Sequence, residues 1–310
     1  MIIKIKMKKT AKLLSIFVCL FVLVFLGCKQ SENSNKNKET ILKGSTSILV
    51  DETLKPIIEE QIEVFQSEYN AKITLIAKSE NEVIKSFLKD STRIVVLSRA
   101  LNKEEEKYFE SVKIKPKTTI IGTDAIAFVS NKSNNDTLIA LQDVVSFMQG
   151  KSQEKIKGLV FDNLNSSTLR YLKEVAGLTA NPSKGIYSFK TNEEVLKYVS
   201  ENEGMLGVVG LNWLYRPSST VSEYLQKLNV LSVKGLNEKT YVSPTQNNLA
   251  EGTYPLARDL YIINCQGYSG LGMGFASFMA GDIGQRIILK SGLLPIRTPG
   301  RKIIITTKSK

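Results

Sequence analysis

Leu159-Val160-Phe161-Asp162-Asn163-Leu164-Asn165-Ser166-Ser167-Thr168 is an apolar strand handed over to the first turn of a helix. The helix is read from Leu169, Leu172, Val175 and Ala176, which recur at helical spacing, and from Gly177, which stops it. Three consecutive hydroxyls, Ser166, Ser167 and Thr168, therefore fall where backbone N–H groups lack an intrahelical partner and the helix dipole is positive. Two readings fit such a turn. Asn165 or Ser166 caps the helix and nothing more, or the turn holds a small anion without acting on it chemically.

The same alternation of β-rich runs and amphipathic helices continues on both sides. Strands are expected at 47–49, 72–76, 93–97, 119–130, 159–161, 206–209, 230–233 and 260–263. Helices are expected at 54–69, 82–90, 103–109, 141–149, 168–176, 193–200, 221–228, 270–280 and 282–291. This is the signature of an α/β fold with largely parallel sheets. The first helix is read as opening after Gly44-Ser45-Thr46-Ser47 and a second as following Lys78-Ser79-Glu80, while Asn102 with Glu105 makes a capping box. Ligands of open α/β sheets collect at strand C-terminal ends beside helix N-termini, where glycines and hydroxyls gather here.

The extended run 119–130 contains Gly122 and, at its middle, Thr123-Asp124, and is a natural passage between two lobes. A second passage is expected after Gly210, before Asn212-Trp213-Leu214-Tyr215. The organisation is then a discontinuous first lobe, 42–122 with 211–310, and a continuous second lobe, 123–210. One large doubly wound domain is the alternative.

Composition narrows the function. The chain has 310 residues, 42% hydrophobic and 23% charged, as in folded domains of ordinary size. It has no histidine, which removes the usual general base and the commonest transition-metal ligand. A hydrolase acting on phosphate esters is disfavoured on that ground, as no acid cluster has metal-binding spacing. Five lysines precede the apolar run from Leu13 to Leu26, which ends in Phe25-Leu26-Gly27-Cys28. A basic head, a short apolar middle and a small residue before the cut read as a secretory signal over 1–27. Cys28 at that cut makes the signal similar to those of bacterial lipoproteins, with the thiol acylated; an ordinary signal beside a structural cysteine is the alternative. Residues 28–41 then form a polar, lipidated tether. Without the five leader lysines the formal charge of +12 falls to +7, dispersed along the chain, and no arginine–aromatic interleaving points to nucleic acid.

Other motifs carry less. Gly270-Leu271-Gly272-Met273-Gly274 lacks the following Lys-Ser/Thr of a phosphate loop and reads as helix packing. Glu104 to Glu106 sit on one exposed helix, and Trp213 with its neighbouring tyrosines reads as lobe–lobe packing.

In order along the chain, Gly44-Ser45-Thr46-Ser47, Ile94 through Ser98-Arg99 with Glu104, Ile121-Gly122-Thr123-Asp124-Ala125-Ile126-Ala127 with Asn131, Asn165-Ser166-Ser167-Thr168, Gly204-Met205-Leu206-Gly207-Val208, Tyr254-Pro255-Leu256-Ala257-Arg258 and Gly284-Gln285-Arg286 with Gly292 to Pro295 resemble the phosphate-binding lipoproteins of ABC transporters, within the periplasmic-binding-protein superfamily. The resemblance covers about 43–300. It implies a two-lobed periplasmic-binding-protein fold of type II, each lobe a mainly parallel sheet flanked by helices. It also implies a monomeric extracytoplasmic protein that needs no cofactor or metal, is not an enzyme, and carries phosphate or a similar oxyanion to a membrane permease. The address would be the periplasm or cell surface of a bacterium, with Cys28 as the lipid anchor. Thr46, Ser47, Ser79 and Ser98 would supply donors from the first lobe, and Ser166, Ser167 and Thr168 from the second. Ser79 also fits a plain loop serine, and Arg99 a surface residue.

Two positions depart from the family. An arginine usually lies six residues before the threonine of the helix-start motif, where this chain has Asp162. At the end of the third strand, where some members carry an aspartate, it has Arg99. An exchange of charge between Arg99 and Asp162 would keep one cation and one acceptor in the cleft. A sensory or scaffold lipoprotein whose cleft has drifted is the competing reading.

Overall fold

The chain divides into Met1–Glu39 and Thr40–Lys310. A computed structural model describes residues 39–298, apart from 90, 91, 136, 153 and 216. The expected leader, Cys28 and nearly all of the tether lie outside the described residues.

Eleven strands and ten helices follow in chain order among the described residues: β1 Gly44–Asp51, α1 Lys55–Glu68, β2 Ala71–Lys78, α2 Glu80–Lys89, β3 Ile94–Leu97, α3 Lys103–Ser111, β4 Lys117–Asn131, β5 Leu138–Ala140, α4 Leu141–Met148, β6 Gly158–Phe161, α5 Ser167–Val175, β7 Ile186–Ser188, α6 Asn192–Glu201, β8 Met205–Gly210, α7 Ser219–Leu225, β9 Leu228–Val230, β10 Ser232–Lys234, α8 Gln246–Ala250, β11 Ala257–Asn264, α9 Leu271–Ala280 and α10 Asp282–Lys290. The expected strand 230–233 is two strands, because Leu231 turns its N–H to the Phe128 carbonyl, 2.9 Å away. β5, β7 and α8 are too short to show a period and were not expected from the pattern.

One sheet runs in the order β2-β1-β3-β11-β4-β8-β6-β7, with β9 also on β4; β10 and β5 form a separate pair. Its two wings are parallel, β2-β1-β3 on one side and β8-β6-β7 on the other. The expectation of mainly parallel sheets holds for the wings only. Where β11 and β4 run back between them the pairing is antiparallel. β4 is the crossing strand: its first part, to Ala125, pairs β11, and from Ile126 onward it pairs β8 and β9. β10 pairs β5, so residues 228–234 share their hydrogen bonds with the β8-β6 side.

The inner wing strands are buried along their length, as expected where helices cover both faces: all four residues of β3 and of β6 are buried, whereas the edge strands β2 and β7 are mostly half-buried or exposed. α1 begins with Pro56 in its first turn and buries Ile57, Ile58, Ile62 and Phe65. Phe65 meets Tyr69, Phe275 and Phe278 with ring centroids 4.8–5.4 Å apart, fastening α1 to α9. The glycine-rich start of α9 does pack closely: a Cβ at Gly274 would stand 1.7 Å from the Ile41 carbonyl oxygen. Phe65→Ala should cost about 3–5 kcal/mol, the range for an emptied aromatic site. Urea unfolding would show this as a lower midpoint with an unchanged slope.

Candidate functional site

Strand ends and helix starts from both wings bury a common polar cluster. β1 ends at Asp51, whose carboxylate accepts from the Thr53 N–H at 3.2 Å and caps a single 3-10 turn, Glu52–Leu54. The Thr53 carbonyl is held by the Trp213 indole N–H and the Asn212 amide, each at 2.9 Å. A Cβ on Gly210 would come within 2.9 Å of the Thr53 methyl, so a bare backbone there lets this turn sit close. From the other wing, Asp162 directly follows β6 and Ser166 caps α5, accepting from the Leu169 N–H at 3.3 Å. Thr168 donates to Asp162 at 3.2 Å, and the Ser166 and Thr168 hydroxyls are 3.0 Å apart.

Arg258, on β11, joins these pieces. Its guanidinium donates to Asp124 on the crossing strand at 2.9 and 3.2 Å, to Ser98 at the end of β3 at 3.3 Å, and to Ser167 at 2.9 Å. The Ser167 hydroxyl in turn reaches Thr53 at 3.4 Å. Glu52 accepts from Asn192, at the start of α6, through both carboxylate oxygens at 2.6 and 3.4 Å. Glu80, 1% exposed, receives Arg99 at 2.8 Å and, from α5, Arg170 at 2.7 Å on one oxygen.

Of the residues singled out in the sequence, Ser98, Asp162, Ser166, Ser167 and Thr168 are brought together. Thr46 and Ser47 are not. They belong to the interior of β1, and the helix opens after Asp51-Glu52-Thr53 instead of after Gly44 to Ser47. They line a separate depression of about 440 Å³ with Arg93, Gln266 and Tyr268. Ser79 turns to its own helix, donating to Glu82 at 2.6 Å. Arg99 is engaged by Glu80 and, at 2.8 Å through two nitrogens, by Glu105, so it does not stand opposite Asp162 as an exchanged partner. The cation that bonds the cluster's hydroxyls is Arg258. Local patterning missed Asp51, Glu52, Thr53, Glu80, Asn192 and Asn212. Three apolar residues followed by Asp-x-Thr, with Pro56 two residues beyond Leu54, was the usable signal.

The cluster is crowded with carboxyls. Burial, with Glu80 next, pushes Asp51 up to about 6 against the pull of Arg258, Ser167 and Thr53. Burial and the nearby Asp51 push Asp162 up to about 7, and burial with Asp162 pushes Glu52 up to about 8. Burial also raises Asp124, with Arg258 opposing. Burial works against charge on Arg99, but Glu105 and Glu80 overcome it and hold the guanidinium firmly protonated.

A two-lobed α/β fold with strand ends and helix starts converging on a buried polar cluster is the architecture of a solute-binding protein. The model of the PBP superfamily domain matches residues 33–282, and the chain belongs to that superfamily. It is similar to the phosphate-binding protein PstS of Staphylococcus saprophyticus, 26% identical over 271 residues that cover 81% of this chain and 79% of that protein. Its fold is shared with a protein of Clostridium perfringens assigned as a phosphate ABC transporter substrate-binding protein and solved with bound phosphate (TM-score 0.68, 20% identity, 82% of this chain and 100% of that one). An ABC-type phosphate transport receptor from Vibrio cholerae also shares it (TM-score 0.60, 16% identity, 81% and 100%).

Carboxyls with raised pKa hold protons in the folded protein that the unfolded chain releases. Their contribution is therefore fully present below the ordinary carboxylate range and is lost as pH climbs to about 8. Thermal melts should decline between about pH 5 and about pH 8, by about 2–4 °C per kcal/mol lost, and Asp162→Asn should flatten the decline.

Proposed function

We propose that this chain is an extracytoplasmic solute-binding protein that holds phosphate or a similar oxyanion between two lobes and delivers it to an ABC transporter permease. The observation that carries this reading is the meeting of uncharged donors and one guanidinium from separate chain segments. Thr53 comes from the β1 side, Ser166 to Thr168 from the start of α5, and Arg258 bridges Ser98 and Ser167. Hydroxyls and amides can replace the water around a small anion without full neutralisation, which lets it be released again. The names of the relatives point the same way.

The first lobe is taken to be built on 42–122 and the second on 123–210. The pairing of β9 with β4 and of β10 with β5 favours moving the return passage from 211 to β11. Cys28 is the proposed lipid anchor, with the protein monomeric at the membrane surface and without enzymatic activity. A non-transporting sensory or scaffold lipoprotein is the second reading, favoured by the carboxyls that surround the donors.

Calorimetry with phosphate, sulfate, molybdate and tungstate tests the function. Ser167→Ala and Thr168→Val should each weaken binding by about tenfold or more, the worth of a hydrogen bond to a charged group. Thr46→Val should leave the dissociation constant unchanged. Absence of heat with all four anions would leave the second reading in place.

A further inference from the structure

The carboxyls of the cluster fall into two kinds. Asp124 and Glu80 are each held by guanidinium groups, Arg258 for the first and Arg99 with Arg170 for the second. Asp51 and Asp162, both 0% exposed, make no salt bridge among the described residues. In each of these two, one oxygen is a satisfied acceptor: Asp51 Oδ1 from the Thr53 N–H, Asp162 Oδ1 from the Thr168 hydroxyl. The other oxygen, Oδ2 in both, is buried with no hydrogen-bond partner; Glu80 Oε2 and Asp124 Oδ1 are buried in the same way, but in those two the charge is met by a guanidinium on the other oxygen. A buried carboxylate oxygen without a donor is costly, whereas a carboxylic acid needs an acceptor at that oxygen.

The surroundings decide between these states. Asp51 feels the charge of Glu80, Asp162 that of Asp51, and Glu52 that of Asp162, so like charges press on each of these buried carboxyls. Of the cations, Arg258 acts on Asp51, but its hydrogen bonds go to Asp124, Ser98 and Ser167. Tyr171 donates to the Ala257 carbonyl and Tyr254 to the Ile126 carbonyl, and neither brings positive charge. Glu52 takes Asn192 donors at both oxygens and so differs from the pair. Among the described residues no group of three His, Cys, Asp or Glu is arranged to hold a metal ion. Two ionised carboxylates here would repel any anion that Arg258 and the hydroxyls attract.

We propose that Asp51 and Asp162 serve the cleft as carboxylic acids, each using its Oδ2–H to donate a hydrogen bond to the bound oxyanion, so that binding takes up protons from solution. The O–H bonds stay intact: the protons are drawn from the buffer, lodge on Oδ2 and point at ligand oxygens. This rests on the oxyanion reading above and adds that even an anion with no proton of its own, such as sulfate, gains affinity as pH falls.

Titration calorimetry on the soluble mature chain, in two buffers of different ionisation heat and from about pH 5 to about pH 9, tests the proposal with phosphate and sulfate. One or two protons should be taken up per anion above neutrality, with affinity falling about tenfold per pH unit for each. Asp51→Asn and Asp162→Asn replace the acid by an amide that donates at every pH. Each should reduce the uptake, and the double variant should bind phosphate more tightly than the native protein at about pH 9. Circular dichroism confirms that each variant is folded. If phosphate binds with no proton uptake, or if the double variant takes up as many protons as the native chain, the proposal is overturned and the solute-binding reading survives. If neither anion, nor molybdate, binds at any pH, the oxyanion reading falls and takes this proposal with it.

Discussion

The Arg258 guanidinium is the point on which the arrangement turns. It is 5% exposed, and its donors satisfy the crossing strand through Asp124, the end of β3 through Ser98 and the start of α5 through Ser167. Burying such a charge is tolerable only with a paired carboxylate and further acceptors, and those acceptors come from the end of one strand, the interior of another and one helix start. The consequence is geometric. Ser98, Asp124 and Ser167 are spread over some 70 residues of sequence, yet one planar group holds them in a single constellation. Antiparallel pairing of β11 with β3 and β4 puts Arg258 opposite Asp124 in the register itself.

That register explains what could and could not be seen in the sequence. Apart from the three-residue edge strand β7, the wings were legible because their strands are short apolar runs and their helices carry a clear 3.6-residue period. The crossing strand was legible because its apolar run is too long for one pairing and is broken by Gly122 and Asp124. The site was legible only from the β6 side, where the hydroxyls of Ser166 to Thr168 are contiguous with the helix they start. On the β1 side the eye is drawn to Gly44-Ser45-Thr46-Ser47, since glycine and hydroxyls mark helix starts. Those residues are instead zipped to Ala71 to Thr74 of β2, and the strand runs on to Asp51. What distinguishes the two endings locally is the apolar run into Asp51-Glu52-Thr53 and Pro56, which fixes where α1 can begin.

Acidic residues were the harder part. Asp51, Glu52 and Glu80 look like ordinary surface charge in the sequence, and the chain as a whole is basic, with a formal +12. Their burial arises because two wings distant in sequence close on each other, and no window of neighbouring residues contains that fact. The Arg99 position illustrates the same limit. Read alone, it is a cation at a strand end opposite an aspartate; in the fold it is consumed by Glu80 and Glu105. The cation that bonds the cluster's hydroxyls comes from a strand 160 residues away from Ser98.

Glu80 shows how the two wings are held in contact. One of its oxygens receives Arg99 from its own wing and Arg170 from α5, so a single buried carboxylate is shared by guanidinium groups on both sides. Nearby, Asn81 donates to Asn165, adding uncharged contacts across the same seam. If the wings part, Glu80 keeps Arg99 and loses Arg170, and water must take the vacated place. Arg170 keeps Glu174, on its own helix and largely exposed. The seam can therefore open without stranding a bare charge on either side, because each arginine retains a carboxylate. A carboxylate shared between two partners leaves one of them in place when the other is withdrawn, so neither side of this seam depends on it alone.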